Sequence, residues 1–366
     1  MSSNGSFWQQ IKQASEAFLF GEEEEGHGDG SNGSWFMPDE ADPHDCTWMA
    51  FGASEQIWDD LLPAVQEDLA RIARTIAQYE PVKMLVREEE YEIAAELCGP
   101  DVELIVCPIN DLWIRDTGPV FVIDEEGNKA GVDFNFNGWG EKQVYDLDGN
   151  VAGFVAQEAG VQAMQANLCL EGGGIEVDGH GTAIITESCV LNRNRNPGVS
   201  KAKCEAELMA LLGLQKIIWL PGVAGQDITD GHTDFYARFA APGVVLAGYD
   251  PDPDSPEHAV TKKHLEILRS ATDADGRTLD VIVMEGPEDI RPDYETEEFA
   301  AGYINFYVIN DAVIAPEFGD RKADRNAKEI LEELFPERDI IQINIDAIAA
   351  GGGGIHCTTQ QEPASG

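Results

Sequence analysis

An α/β fold built of repeated units is what this sequence predicts, and three observations predict it. From about Trp35 onward, short apolar strand-like runs alternate with amphipathic helical ones. Helix-then-strand pairs recur at a spacing of roughly 60 residues, the mark of a repeat architecture. No Pro/Gly/Ser linker interrupts the middle of the 366 residues, so one compact domain is expected at 35–366, behind a distinct segment at 1–34.

Taken in order, residues 1–20 set Phe7, Trp8, Ile11, Ala14 and Phe18 at helical spacing, a short amphipathic helix that would dock on its own domain or on a partner. Gly21–Ser34 is acidic and Gly-rich, contains Glu22–Glu25, and reads as a tether too polar to order itself. Gln56–Tyr79 aligns Ile57, Leu61, Val65, Leu69, Ile72 and Ile76 on one helical face, ahead of a strand at Val82–Val86. The same pairing follows at Glu89–Cys98 before Val102–Val106, Lys201–Leu212 before Lys216–Leu220, His258–Ala271 before Leu279–Met284, and Ala323–Phe335 before Ile340–Ile343. Extra hairpins such as Gly302–Ala315 fall between the pairs.

Composition narrows the function. Lys and Arg number 24 against 68 Asp and Glu, a formal net charge of -44. Nucleic acid and anionic membrane surfaces reward the opposite sign, so neither is expected as a partner. A small cationic substrate would be drawn in; adaptation to a salty habitat would explain the acidity equally well. No secretory apolar segment opens the sequence, and no run approaches the roughly 18 apolar residues of a membrane helix. Seven cysteines with no CxxC pair argue against a structural zinc site and for a reducing compartment, the cytoplasm. Cys46, Cys98, Cys107, Cys169, Cys189 and Cys204 stand mostly among apolar residues and read as small hydrophobes.

Cys357 differs. Gly351–Gly354 precede Ile355-His356-Cys357, and four glycines let a backbone pass close to a ligand while delivering one thiol at a fixed place. His232 stands in Asp230-Gly231-His232-Thr233-Asp234, where extended backbone would turn His232 and Asp234 to one face. Glu171 opens Glu171-Gly172-Gly173-Gly174, which lacks the Lys-Ser/Thr of a phosphate loop and reads as an acid presented to a crevice. The loop Asn110–Pro119 carries Asp111, Trp113, Arg115 and Asp116, and a flat wall beside carboxylates suits a planar cation. A cysteine protease would use one Cys, one His and an orienting group, leaving the other acids idle. A guanidinium substrate uses all of them, because carboxylates can fork onto its N–H groups and hold its carbon over a sulfur.

These motifs, with Met37–His44, Leu191–Pro197 and Trp219-Leu220-Pro221, resemble the agmatine deiminase family, the Porphyromonas-type peptidylarginine deiminases included, over some nine-tenths of the chain. The resemblance implies a five-bladed pseudo-symmetric α/β propeller (pentein) of ββαβ repeats. It also implies Cys357 as nucleophile, His232 as proton donor and water activator, Glu171 as its partner, and Asp116, Asp234 and Trp113 as substrate-binding residues. No metal and no organic cofactor are implied. The expected reaction is hydrolysis of agmatine to N-carbamoylputrescine and ammonia through a covalent amidino-cysteine; a homo-oligomer is compatible with it. Peptidyl arginine or another guanidino compound is the alternative substrate, ahead of amidino transfer or an inactive binding module. Four positions depart from the family pattern: Ala41 for an aromatic, Asn110 and Ile228 for acids, and Gly354 for an Asn, all on loops expected near the substrate's tail. A resting Cys357 thiolate beside a charged His232 would give a bell-shaped pH profile.

Overall fold

The computed structural model describes residues 34–365. The helix and tether expected at 1–34 therefore lie, but for Ser34, outside the described residues.

Five small mixed sheets follow one another along the chain. The first holds β1 (His44–Ala50), β2 (Val82–Val86) and β3 (Val102–Val106), with α1 (Leu62–Ile76) and α2 (Tyr91–Cys98) as the crossovers. The second is β4 (Val120–Ile123), β5 (Lys129–Asp133), α3 (Val151–Glu158) and β6 (Gln162–Gln165). The third is β7 (Ile175–Val177), β8 (Thr182–Thr186), α4 (Lys201–Leu212) and β9 (Lys216–Leu220). The fourth is β10 (Ala237–Ala241), β11 (Val244–Tyr249), α5 (His258–Ser270) and β12 (Asp280–Glu285). The fifth is β13 (Tyr307–Ile309), β14 (Ala312–Glu317), α6 (Arg321–Leu334) and β15 (Asp339–Asn344). In the last four, the first two strands pair antiparallel and the helix returns the chain to a parallel third, a ββαβ unit. The last strand, β16 (Gln360–Pro363), pairs antiparallel with β1 and supplies the first repeat with its missing strand. The expected five-repeat α/β fold is thus present, with the two ends of the domain joined in one sheet.

Local chemistry accounts for the elements. Middle strands such as β8 and β14 are covered on both faces, which is why Thr182–Thr186 and Ala312–Pro316 read as unbroken buried runs. The α4 helix starts where the Ser200 side chain accepts from the Lys203 amide and stops at Gly213, whose left-handed backbone (φ 66°) ends it. The expected helix Gln56–Tyr79 is broken. Asp59 has φ 44°, Pro63 starts α1, and the first part is two short turns that leave Ile57 40% exposed on the cavity side. Leu61 is only partly buried; Val65, Leu69, Ile72 and Ile76 carry the helix's core face.

The repeats meet on buried charge. Arg238 of β10 donates to Glu176 of β7 (2.8 Å), to Glu40 ahead of β1 (2.7 Å) and to the Phe306 carbonyl (2.6 Å), tying four repeats through one guanidinium. Five loops occupy equivalent places, each just before the first strand of a sheet: 113–118, 171–174, 230–236, 302–306 and 351–359.

Candidate active site

Those five loops converge. An ideal Cβ built on Gly173 would lie 2.6 Å from His232 Nδ1, 2.9 Å from Asp116 Oδ1 and 3.2 Å from Asp234 Oδ2. Cys357 Sγ is 3.6 Å from that same Asp234 oxygen and 3.5 Å from Asn305 Oδ1. Each repeat therefore contributes a group: Asp116, Glu171, the His232/Asp234 pair, Asn305 and Cys357. Asp116, His232, Trp113 and Cys357 line a cavity of about 1920 Å³.

His232 faces two ways. Its Nε2 is 3.0 Å from Glu171 Oε2, and its Nδ1 lies 3.7 Å from Asp116 Oδ1, on the side toward Gly173. Glu171 is wholly buried behind the ring, not presented to the crevice, and accepts from Arg195 Nε at 2.8 Å. Arg195 in turn bonds Asp230 at 2.6 Å, and Lys142 reaches the same carboxylate at 2.7 Å. Asp230 is thus a structural partner of Arg195. The His232–Asp234 segment is not extended as expected, because Thr233–Phe235 forms a 3₁₀ turn. Both side chains still reach Gly173, since the turn wraps around it.

Asp116 accepts from Trp139 Nε1 at 2.9 Å and from the Gly173 amide at 3.1 Å. Asp234 has one oxygen committed to His356 Nδ1 at 2.8 Å; the other, Oδ1, is buried with no hydrogen-bond partner among the described residues. A buried carboxylate oxygen without a donor costs roughly 1–3 kcal/mol, more when charged, so Oδ1 marks where a donor belongs. His356 Nε2 bonds Glu40 at 2.9 Å, and Glu40 also meets Arg238 and Arg115. Burial, Arg115 and Arg238 draw the His356 pKa below the usual histidine value, against the pull of Glu40 and Asp234.

The charges sort themselves. Burial opposes ionisation of Glu171, but His232 and Arg195 outweigh it and bring its pKa to about 2. Burial likewise works against a charged His232, yet Asp116, Cys189 and Glu171 hold it well above the usual value. Burial, with Glu171 and Asp234 close by, pushes Asp116 up to about 6 against the pull of His232. Burial would raise Asp234 too; His356 and His232 keep it below the usual range. Burial and then the Asp234 and Asp116 charges drive the Cys357 thiol well above 9. In place of the resting thiolate expected from the Cys–His pairing, Cys357 keeps its proton, because the charges that act on it most are the carboxylates of Asp234 and Asp116.

The Trp113 wall is a larger construction than the sequence suggested. Asp111 accepts from Trp58 Nε1 (2.9 Å), Trp113 Nε1 (3.1 Å) and Gln143 Nε2 (2.9 Å), clipping two indoles whose centroids are 5.8 Å apart. A Cβ on Gly351 would sit 2.2 Å from Trp58, and one on Gly353 would sit 2.1 Å from Trp113, so these glycines exist to let the nucleophile loop lie on the rings. Arg115 does not face the substrate: it holds the His356 carbonyl, Gln361 and Glu40. Of the four departures, Ile228 lines the cavity, whereas Asn110 caps the Leu147 and Asp148 amides, and Asn305 Oδ1 fills the space a side chain at 354 would need. Sequence reading gave no role to Arg195, His356, Asn305, Trp58 or Trp139; Arg195 had a signal in the Leu191–Pro197 motif and His356 in its place beside Cys357. Cys189 is more than a buried hydrophobe, because its Sγ is 3.4 Å from Glu171 Oε2.

Comparison with known proteins agrees with this geometry. The Porphyromonas-type peptidyl-arginine deiminase family matches residues 36–363. Agmatine deiminase of Stutzerimonas stutzeri is 38% identical over 356 residues, covering 90% of this chain and 96% of that one. Agmatine deiminase of Medicago truncatula is 37% identical over 362 residues, with 90% and 96% covered. The solved agmatine deiminase of Enterococcus faecalis superposes with a TM-score of 0.86 at 33% identity, over 91% of this chain and 97% of that one.

Proposed function

Since the chain belongs to the Porphyromonas-type peptidyl-arginine deiminase family, we propose that it is an agmatine deiminase, hydrolysing agmatine to N-carbamoylputrescine and ammonia. The observation that carries the reading is the pair of carboxylates gathered around Gly173, Asp116 Oδ1 and Asp234 Oδ2, with Cys357 Sγ 3.6 Å from the latter and the second Asp234 oxygen, Oδ1, buried without a partner among the described residues: a socket for a planar cation beside a sulfur. Similarity to agmatine deiminases of bacteria and a plant supports the substrate.

In this reading the guanidinium forks onto Asp116 and Asp234, against the Trp113 wall. Its positive charge stands in for the thiol proton, which leaves for solvent, so binding and thiolate formation occur together. Cys357 Sγ then bonds the guanidinium carbon. His232 Nδ1–H, the ring nitrogen toward Gly173, protonates the departing nitrogen, and ammonia leaves an S-alkylthiouronium on Cys357. The now neutral Nδ1 takes a proton from water as its oxygen adds to the same carbon. Breakage of the C–S bond releases the ureido product and regenerates the thiol. Glu171, paired with Arg195, stays ionised and steadies the imidazolium in both halves.

The seven cysteines are unbridged, which supports a reducing cytoplasmic setting, and no helix among the described residues is long and apolar enough to cross a membrane. Hydrolysis of the ureido group of that product would give putrescine, which supports a role in polyamine formation. One feature favours a second reading. A cavity of about 1920 Å³ exceeds the roughly 300–1,000 Å³ usual for small ligands, leaving room for a peptidyl arginine. Incubation with agmatine, arginine and a peptide ending in arginine, scored for ammonia and ureido product, separates them: turnover of the peptide alone defeats the agmatine reading. Cys357→Ala should lose all turnover.

A further inference from the structure

Behind His232 lies a donor that the reaction leaves idle. Cys189, in the short helix Glu187–Val190 after β8, is fully buried. Its Sγ and His232 Nε2 stand 3.4 and 3.0 Å from one oxygen, Glu171 Oε2, and the three atoms lie within 4.8 Å of one another. No other cluster of three His, Cys or acidic side chains among the described residues converges so closely.

Sulfur, imidazole nitrogen and carboxylate oxygen are the donors that tetrahedral zinc takes. Bonds of about 2.1 Å to oxygen and nitrogen and about 2.3 Å to sulfur set the oxygen roughly 3.4 Å from the nitrogen and 3.6 Å from the sulfur. The observed 3.0 and 3.4 Å fall short by only a few tenths of an ångström. Arg195 Nε donates to the other oxygen, Oε1, at 2.8 Å, and its Nη2 donates a long bond to Oε2 at 3.4 Å that a metal ion would replace. Charge also balances. A Cys189 thiolate, Glu171 and Asp116 offset a divalent ion plus Arg195 when the imidazole is neutral. Of the three, only His232 borders the cavity, so an ion would enter by a swing of its ring.

We propose that Glu171, Cys189 and His232 form a binding site for a thiophilic divalent cation, zinc above all, and that its occupation switches the enzyme off. Binding displaces one proton from Cys189 Sγ and one from His232 Nε2, and it pins the ring that must carry protons to and from the substrate. The site is inhibitory, not a cofactor site. Its metal-binding half stands whatever the substrate is; the inhibition half rests on the deiminase reading.

The test uses the full chain carrying Cys357→Ala, so that the nucleophile cannot be the metal's sulfur. Cobalt(II) added to it should give a near-ultraviolet thiolate-to-cobalt charge-transfer band together with tetrahedral visible bands, both removed by zinc. Adding Cys189→Ala or Cys189→Ser should abolish the charge-transfer band, with circular dichroism confirming the fold; using both keeps the comparison alive should one misfold. With Cys357 intact, Cys189→Ala should raise the zinc concentration for half-inhibition at least tenfold, and a chelator should restore activity to the unmutated protein. The proposal is overturned by a band that survives without Cys189, by no band in Cys357→Ala, or by zinc inhibition that ignores Cys189→Ala.

Discussion

Gly173→Ala adds one methyl group at the point where the site converges, and it changes no charge. Gly173 does not need a left-handed backbone, so alanine is conformationally admissible; the obstacle is space. The new Cβ would meet His232 Nδ1 at 2.6 Å and Asp116 Oδ1 at 2.9 Å, against about 3.4 Å for ordinary contact, so the two must withdraw by some 0.8 and 0.5 Å. Both lie on buried elements with committed partners, Glu171 for the one and Trp139 for the other, and neither can retreat freely. Misplacing reacting groups by about 1 Å costs on the order of 100-fold in rate, or roughly 2.7 kcal/mol of barrier. Overpacking should cost stability by about 1–3 kcal/mol as well. The assay is kcat/KM for agmatine by ammonia release, alongside denaturant unfolding. Gly153→Ala, on α3 with nothing within 4 Å, is the control, expected to keep full activity and gain about 0.5–1 kcal/mol. A Gly173→Ala enzyme within threefold of the unmutated protein would refute the claim that these groups act around Gly173.

The remaining expectations concern charge and the aromatic clip. Asp116 must be ionised to hold a cation and has a pKa of about 6, so kcat/KM should fall as pH drops through 6; a flat rate from pH 7 to 5 would contradict it. The alkaline limb should lie well above the usual histidine range, because the ring nitrogen that protonates the departing nitrogen belongs to an imidazolium stabilised by Asp116 and Glu171. Arg195→Met leaves Glu171 with His232 and Asp230 with Lys142 as their remaining cationic partners, so it should destabilise the fold in denaturant unfolding by less than the roughly 3–5 kcal/mol of a fully broken buried pair, while raising the Glu171 pKa from about 2. Asp111→Asn sets an NH₂ against an indole or amide N–H, and should cost about 1–3 kcal/mol and raise KM for agmatine as the rings shift under Gly351 and Gly353.

Much of this was legible in the sequence because periodicity and residue type are local. Lys201–Leu212 reads as a helix between Ser200 and Gly213, and it is one. Glycines before Cys357 announce a presented thiol, and carboxylates around His232 and Trp113 announce a cation. The break at Asp59 escaped the reading, since Ile57 and Leu61 continue the helical spacing and only the backbone turn at φ 44° interrupts it.

What the sequence determined alone, then, was the set of chemical groups and the alternation of helix and strand that makes five repeats. Tertiary structure decided which groups touch. Cys357 and Asp234 are 123 residues apart, and they meet only because β16 closes the ring on β1 and brings the last loop level with the other four. It also decided their charge. Burial beside Asp116 and Asp234 protonates the thiol that an exposed Cys–His pair would have ionised, because a low-dielectric pit rewards a negative charge only when a cation comes to share it.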